Sequence, residues 1–146
     1  MRKTWVPVLM MVVALFAGAC NEGNDEGGSF DLELTADSEV CDGDTCGGDG
    51  SGNATVDINS DENEVCYEIT LEGVEGANAA HIHEGGEGES GEVVVDLEYS
   101  GDEGEKCVDG VDEGVLEDIG EEPSQFYVNV HSEQYPDGAA RGQLEA

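Results

Sequence analysis

The sequence predicts an all-β protein, a small antiparallel Greek-key β-sandwich or barrel with one short helix. Three observations carry that prediction. Apolar residues alternate with acidic or polar ones over successive short stretches, the period of a strand with one face buried. Clusters of Gly, Asn, Asp and Ser separate those stretches, as they do in sandwiches and barrels. From Phe30 to Ala146 there is no internal repeat and no second hydrophobic block, so one domain accounts for the whole segment.

Taken in order, Phe30, Leu32 and Leu34 alternate with acids and make the first strand. Ala54, Val56 and Ile58 make a second, and Val65, Tyr67, Ile69 and Leu71 a third. Ala80 to Gly85 and Tyr127 to His131 are strand-like and hold every histidine of the chain. Val93, Val95 and Leu97 form a further strand, and Ala139 to Leu144 a closing one. A helix is expected from Val111 to Ile119, stopped before Pro123.

Between the second and third strands, Asp57, Asn59, Asp61 and Glu68 occupy positions 1, 3, 5 and 12 of a calcium-loop spacing. Glu62 stands where the sharp turn needs Gly, and the flanks alternate like strands instead of helices. Asn59 to Asn63 therefore reads as a hairpin turn.

The amino terminus reads as an address. Arg2 and Lys3 precede the apolar run Val6 to Phe16, which is short for a membrane span, and the small residues Ala17, Gly18 and Ala19 lead into Cys20. This pattern resembles the lipobox of bacterial lipoproteins, which implies a signal peptide over residues 1–19 and a diacylated Cys20 as the new amino terminus. Residues 20–29, polar and Gly-rich, form a flexible acidic tether. Membrane contact through the lipid, in the cell envelope and outside the cytoplasm, is the localisation this implies.

Without that segment only Lys106 and Arg141 stand against all 36 acidic groups, two cations against 36 anions, a formal net charge of −34. Phosphate contacts need clustered Lys and Arg, so nucleic acid is excluded as a partner class. Acids spread evenly along the chain suit solvation in high salt, the halophilic reading, better than a dedicated divalent-cation loop.

Of five cysteines, Cys20 is the lipid site and four remain. In an oxidising compartment an even number implies disulfides. Three connectivities are open; Cys41 to Cys46 closes easily as a small loop, which leaves Cys66 with Cys107. The latter bridge would pin a connecting loop to the outside of the sheet, contributing about 3 to 4 kcal/mol through chain entropy.

His81 and His83 alternate on one strand and so project together, and His131 on another strand would complete a three-nitrogen set. Three imidazoles without a Met or a free thiol suit Cu(II) or Zn(II). The competing assignment is that these histidines pair with carboxylates such as Glu84 and Glu133. No catalytic constellation emerges: there is no Gly-x-Ser-x-Gly elbow, and no phosphate-binding Gly loop leads into a helix with a Lys.

Seven ordered blocks, from Leu34-Thr35-Ala36-Asp37-Ser38-Glu39-Val40 and Gly52-Asn53-Ala54-Thr55-Val56 through Asn63-Glu64-Val65-Cys66-Tyr67 and Ala79-Ala80-His81-Ile82-His83-Glu84-Gly85, then Gly91 to Leu97, Phe126 to His131 and Pro136 to Leu144, resemble the CHRD domain, the module named from chordin. The Cys41 to Cys46 loop stands where that family has a proline pair. A more distant likeness is to the copper half of Cu/Zn superoxide dismutase, in which His81, His83 and His131 would take the copper-ligand positions and Arg141 the anion-guiding one. The bridging histidine and the zinc ligands have no counterpart. These resemblances imply an immunoglobulin-like or superoxide-dismutase-like sandwich over residues 30–146. They leave two functions in play: an envelope-anchored, non-enzymatic binding or structural module whose partner is a protein or envelope component, and a copper-binding module acting in metal handling or oxidant defence. Arg141 could instead pair with an acid and close the last strand.

Overall fold

The structure, a computed structural model, describes residues 27–146. The expected signal peptide over 1–19, the lipidated Cys20 and most of the tether lie outside the described residues. Among these, no helix is long and apolar enough to cross a membrane.

Eight strands form in chain order: β1 Ser29–Thr35, β2 Ser51–Asn59, β3 Glu64–Glu72, β4 Ala77–Glu84, β5 Val93–Asp96, β6 Lys106–Asp109, β7 Phe126–Ser132 and β8 Ala140–Gln143. The one α-helix, α1, runs Glu113–Glu121 between β6 and β7. The sheet order is β5-β4-β7-β8-β1-β2-β3-β6, and every pair is antiparallel. Chain neighbours β3 and β4 lie far apart in this order, as do β6 and β7, so the hairpins are joined by Greek-key crossings. The β1–β8 seam rests on a single register pair, Thr35 with Arg141. The sheet curls as a half-barrel whose two edges are β5 and β6.

Alternation puts Phe30, Leu32 and Leu34 of β1, Val56 of β2 and Ile69 of β3 into the same buried cluster as Ile82 of β4 and Val128 and Val130 of β7. Both halves of the sheet therefore share one core, closed on one side by Leu116 and Ile119 of α1. The helix starts two residues later than expected because the Asp112 side chain accepts from the backbone N–H groups of Gly114 and Val115, an N-cap that fixes the boundary. Residues Ser60–Asn63 turn between β2 and β3, with Asn63 at φ 53°. The calcium-loop spacing is thus a hairpin turn, as its missing Gly indicated.

Both disulfides form, Cys41 with Cys46 and Cys66 with Cys107. The second corrects one expectation. Cys107 is not on a connecting loop; it lies in β6, directly opposite Cys66 in the β3–β6 ladder, so the bridge staples the edge strand to its neighbour. In β6 only Val108 is buried, too short an apolar signal to announce a strand.

Strand β7 departs from simple alternation, since all its residues except His131 are buried. Phe126, Val128 and Val130 face the core. Tyr127 and Asn129 point the other way and are covered there by the segment after β4 and by Glu39.

Candidate metal centre on the outer face of β4, β7 and β8

In the β4–β7 ladder His81 lies opposite Asn129, His83 opposite Tyr127 and Ala79 opposite His131. Ile82 and Val128 take the core face, so the three histidines share the outer one. One ligand nitrogen from each lies within 4.8 Å of the others. The tightest approach is His81 Nδ1 to His131 Nε2, at 3.0 Å.

The outer contacts decide which nitrogens are free. His83 Nδ1 lies 3.1 Å from the Gly91 carbonyl and His131 Nδ1 lies 2.9 Å from the Pro136 carbonyl. A carbonyl can only accept, so each ring donates through Nδ1 and, when neutral, leaves a bare lone pair on Nε2. The lone pair of His83 Nε2 is buried with no hydrogen-bond partner. On its far side His81 turns Nε2 towards Asp96, 3.9 Å away, which the β4–β5 register places opposite it. Burial, the largest influence, holds His83 and His131 below the usual histidine pKa, with the neighbouring histidines acting in the same direction against the carbonyl hydrogen bonds. Neutral rings aimed inward by backbone carbonyls are the state in which imidazole binds a metal ion.

The donor set fits a borderline divalent cation: three imidazole nitrogens, no thiolate and no carboxylate at the centre. Glu64, Cys66 and Cys107 also approach one another, but both sulfurs are consumed in their disulfide.

Four polar residues that sequence reasoning left out or misread surround the histidines. The Tyr127 ring stacks on His83 at 4.9 Å between centroids and 11° between planes. On its other face sits the Arg141 guanidinium, 3.4 Å from the centroid. Arg141 is only 3% exposed, and among the described residues no carboxylate lies within ion-pair distance of it. The expected acid partner is replaced by backbone: Nη1 donates to the Glu89 carbonyl, and Nη2 to the Gly86 carbonyl and to Gln143 Oε1. Asn129 and Glu39 complete the group. The Asn129 amide donates to Glu39 Oε2 at 3.4 Å, and burial raises the Glu39 carboxyl to about 7 against the opposing pull of Arg141 and Asn129. Asn129, two residues before His131, could have been found by period-2 counting along β7. Glu39, one acid among 36, carried no distinguishing signal.

Residues 30–144 match the family model described as the CHRD domain. No curated protein matches the chain, and no solved structure does. These comparisons add nothing to the likeness with the copper half of a dismutase. The match covers almost all of the folded domain, from the first core residue of β1 to the residue after β8, and on that extent the chain belongs to the CHRD family.

Proposed function

We propose that this protein is an envelope-anchored CHRD lipoprotein whose domain binds a divalent transition metal, with copper the preferred ion, through His81, His83 and His131. One observation carries the reading: three imidazole nitrogens converge within 4.8 Å while two of the rings are locked from behind by backbone carbonyls. Three histidines that merely solvate a surface would not leave a lone pair buried and unpartnered, as His83 Nε2 is. Against Zn(II), the general order of divalent affinities favours Cu(II) at nitrogen sites. Bound copper would supply one-electron redox chemistry or simple sequestration. The chain itself supplies oriented donors, an outer carboxylate in Asp96 and a covering segment.

Anchoring rests on the sequence alone, on the small residues before Cys20 and the Gly-rich tether behind it. The disulfides fit an oxidising, extracytoplasmic setting. A high-salt environment accounts for the acidic surface, because screening over a few ångströms relieves its self-repulsion.

The deciding experiment is a Cu(II) titration of the oxidised protein followed by electron paramagnetic resonance, beside a His81→Ala/His83→Ala/His131→Ala variant. One tight equivalent with nitrogen hyperfine structure, absent from the variant, is expected. Equal weak binding by both would sink the metal reading and leave a tethered module. Incorporation of labelled fatty acid, lost in Cys20→Ala, tests the anchor.

A further inference from the structure

The segment between β4 and β5, residues 85–92, lies over the outer face and brings one atom to a metal-ligand candidate, the Gly91 carbonyl that receives the His83 Nδ1 proton. The grip on this segment comes from β7 and β8. Arg141 spans it from beneath, with Nη1 on the Glu89 carbonyl at 2.6 Å and Nη2 on the Gly86 carbonyl at 2.8 Å. Gln143 Nε2 holds the Gly85 carbonyl at 2.8 Å, and the Tyr127 hydroxyl accepts from the Gly91 N–H at 3.2 Å. At Gly91 the chain passes so close to Glu84 that a Cβ would collide with the Glu84 carbonyl, so only glycine can present its carbonyl there.

The same guanidinium also acts through the rings. Arg141, Tyr127 and His83 form one continuous stack, with Tyr127 between a cation and an imidazole. A charged side chain that is 3% exposed, with no carboxylate within ion-pair distance, costs desolvation energy, and its hydrogen bonds go to the segment and to Gln143 while its face lies on the Tyr127 ring.

We propose that Arg141 is a positioning residue for His83: by clamping residues 86–89 and stacking on Tyr127 it fixes the Gly91 carbonyl and the plane of the His83 ring, so that Nε2 points into the three-histidine cluster. This rests on the metal reading for what His83 does, but the orientation of the ring is a property of the metal-free protein and can be measured there. His131 provides an internal reference, because its Nδ1 is held by the Pro136 carbonyl on a different segment.

The test is performed on the full oxidised chain, comparing wild type with Arg141→Gln, Arg141→Lys and Tyr127→Phe. Imidazole nitrogen-15 shifts of the metal-free proteins report each tautomer, and competition with a chelator reports Cu(II) affinity. In wild type, His83 and His131 are each expected as the single Nδ1–H tautomer. In Arg141→Gln, His83 becomes a tautomer mixture while His131 is unchanged, and affinity falls about 10-fold to 100-fold, the usual effect of losing a second layer of support. Lys can reach one carbonyl but cannot bridge two or stack flat, so Arg141→Lys rescues in part. Tyr127→Phe keeps the ring and deletes only the acceptor of the Gly91 N–H, giving a smaller shift of the same kind; if Arg141→Gln does not fold, Arg141→Lys decides the matter, because it keeps the charge but loses the two-carbonyl clamp and should loosen His83 and not His131. An unchanged His83 in a folded variant, or equal changes at His83 and His131, would overturn the proposal, the latter because general loosening moves both. If wild type takes up no copper at the cluster, the metal reading fails by itself, while the tautomer shift still decides the role of Arg141.

Discussion

His81 Nδ1 and His131 Nε2 face each other at 3.0 Å across the β4–β7 ladder, and only one of them can carry the proton between them. The Pro136 carbonyl claims the proton of His131 on Nδ1, so in the neutral pair the shared proton belongs to His81 Nδ1. A metal ion entering the cluster must displace it. The nearest place for it is His81 Nε2, which faces Asp96.

In the proposed metal site, that proton shift would make Asp96 a measurable partner in metal uptake. At 3.9 Å and on an exposed carboxylate its help is modest, on the scale of a surface pair at about 0.2 to 1 kcal/mol. Asp96→Asn should weaken Cu(II) binding about twofold to fivefold without changing the number of nitrogens in the resonance spectrum. A chelator competition series checks the first figure and hyperfine structure the second; unchanged affinity would show that the proton leaves to solvent.

Glu39 sets a pH dependence of folding. Its folded pKa of about 7 lies above the ordinary carboxylate value of 4.5. The folded state therefore holds a proton that the unfolded state releases between those values, and stability is lost as pH rises through this window. Because the group is only partly buried, solvent screening reduces the effect to about 1 kcal/mol. Glu39→Gln should be more stable than wild type by that amount at pH 8 and equal to it near pH 4. Urea unfolding at the two pH values measures the difference, from which the oppositely signed histidine contributions cancel.

The two disulfides should differ in weight. Cys66 and Cys107 are 41 residues apart and Cys41 and Cys46 only five, so chain entropy assigns about 4 kcal/mol to the first and about 2 kcal/mol to the second. Cys66→Ser/Cys107→Ser should lower the melting temperature about twice as far as Cys41→Ser/Cys46→Ser in calorimetry. A reversed order would mean that pinning the edge strand β6 matters less than closing the turn beside β8.

Tyr67 is buried in the core with its hydroxyl unpartnered. Removing a buried hydroxyl that makes no hydrogen bond removes a desolvation cost, while the edge contact with Tyr99 at 6.4 Å survives. Tyr67→Phe should be as stable as wild type or more stable by up to about 1 kcal/mol in denaturant unfolding. A loss of more than that would reveal a partner for the hydroxyl.

Period-2 patterning made most of the fold legible, because strands such as β1 and β3 bury one face only and announce it. It missed β6, whose single buried residue gives no alternation, and it placed Cys107 on a loop for the same reason. Histidine spacing brought the right three rings to one face, since strand geometry is local. What surrounds them was not legible. Arg141 meets Gly86 and Glu89 across more than 50 residues of chain, and Glu39 meets Asn129 across 90, pairings that depend on the sheet order and not on any pattern near either residue.

The two cations of the described domain are both spent on internal contacts: Lys106 on Asp102 at 2.9 Å, and Arg141 beneath its own chain. With Lys106 paired and Arg141 buried, the domain presents an overwhelmingly anionic surface to solvent. Two copies repel at close range, and so does any other polyanion. A stable encounter therefore requires the other party to bring positive charge, or a layer of cations to lie between the surfaces, and the strength of any such adhesion would follow the concentration of dissolved cations instead of the shape of either surface.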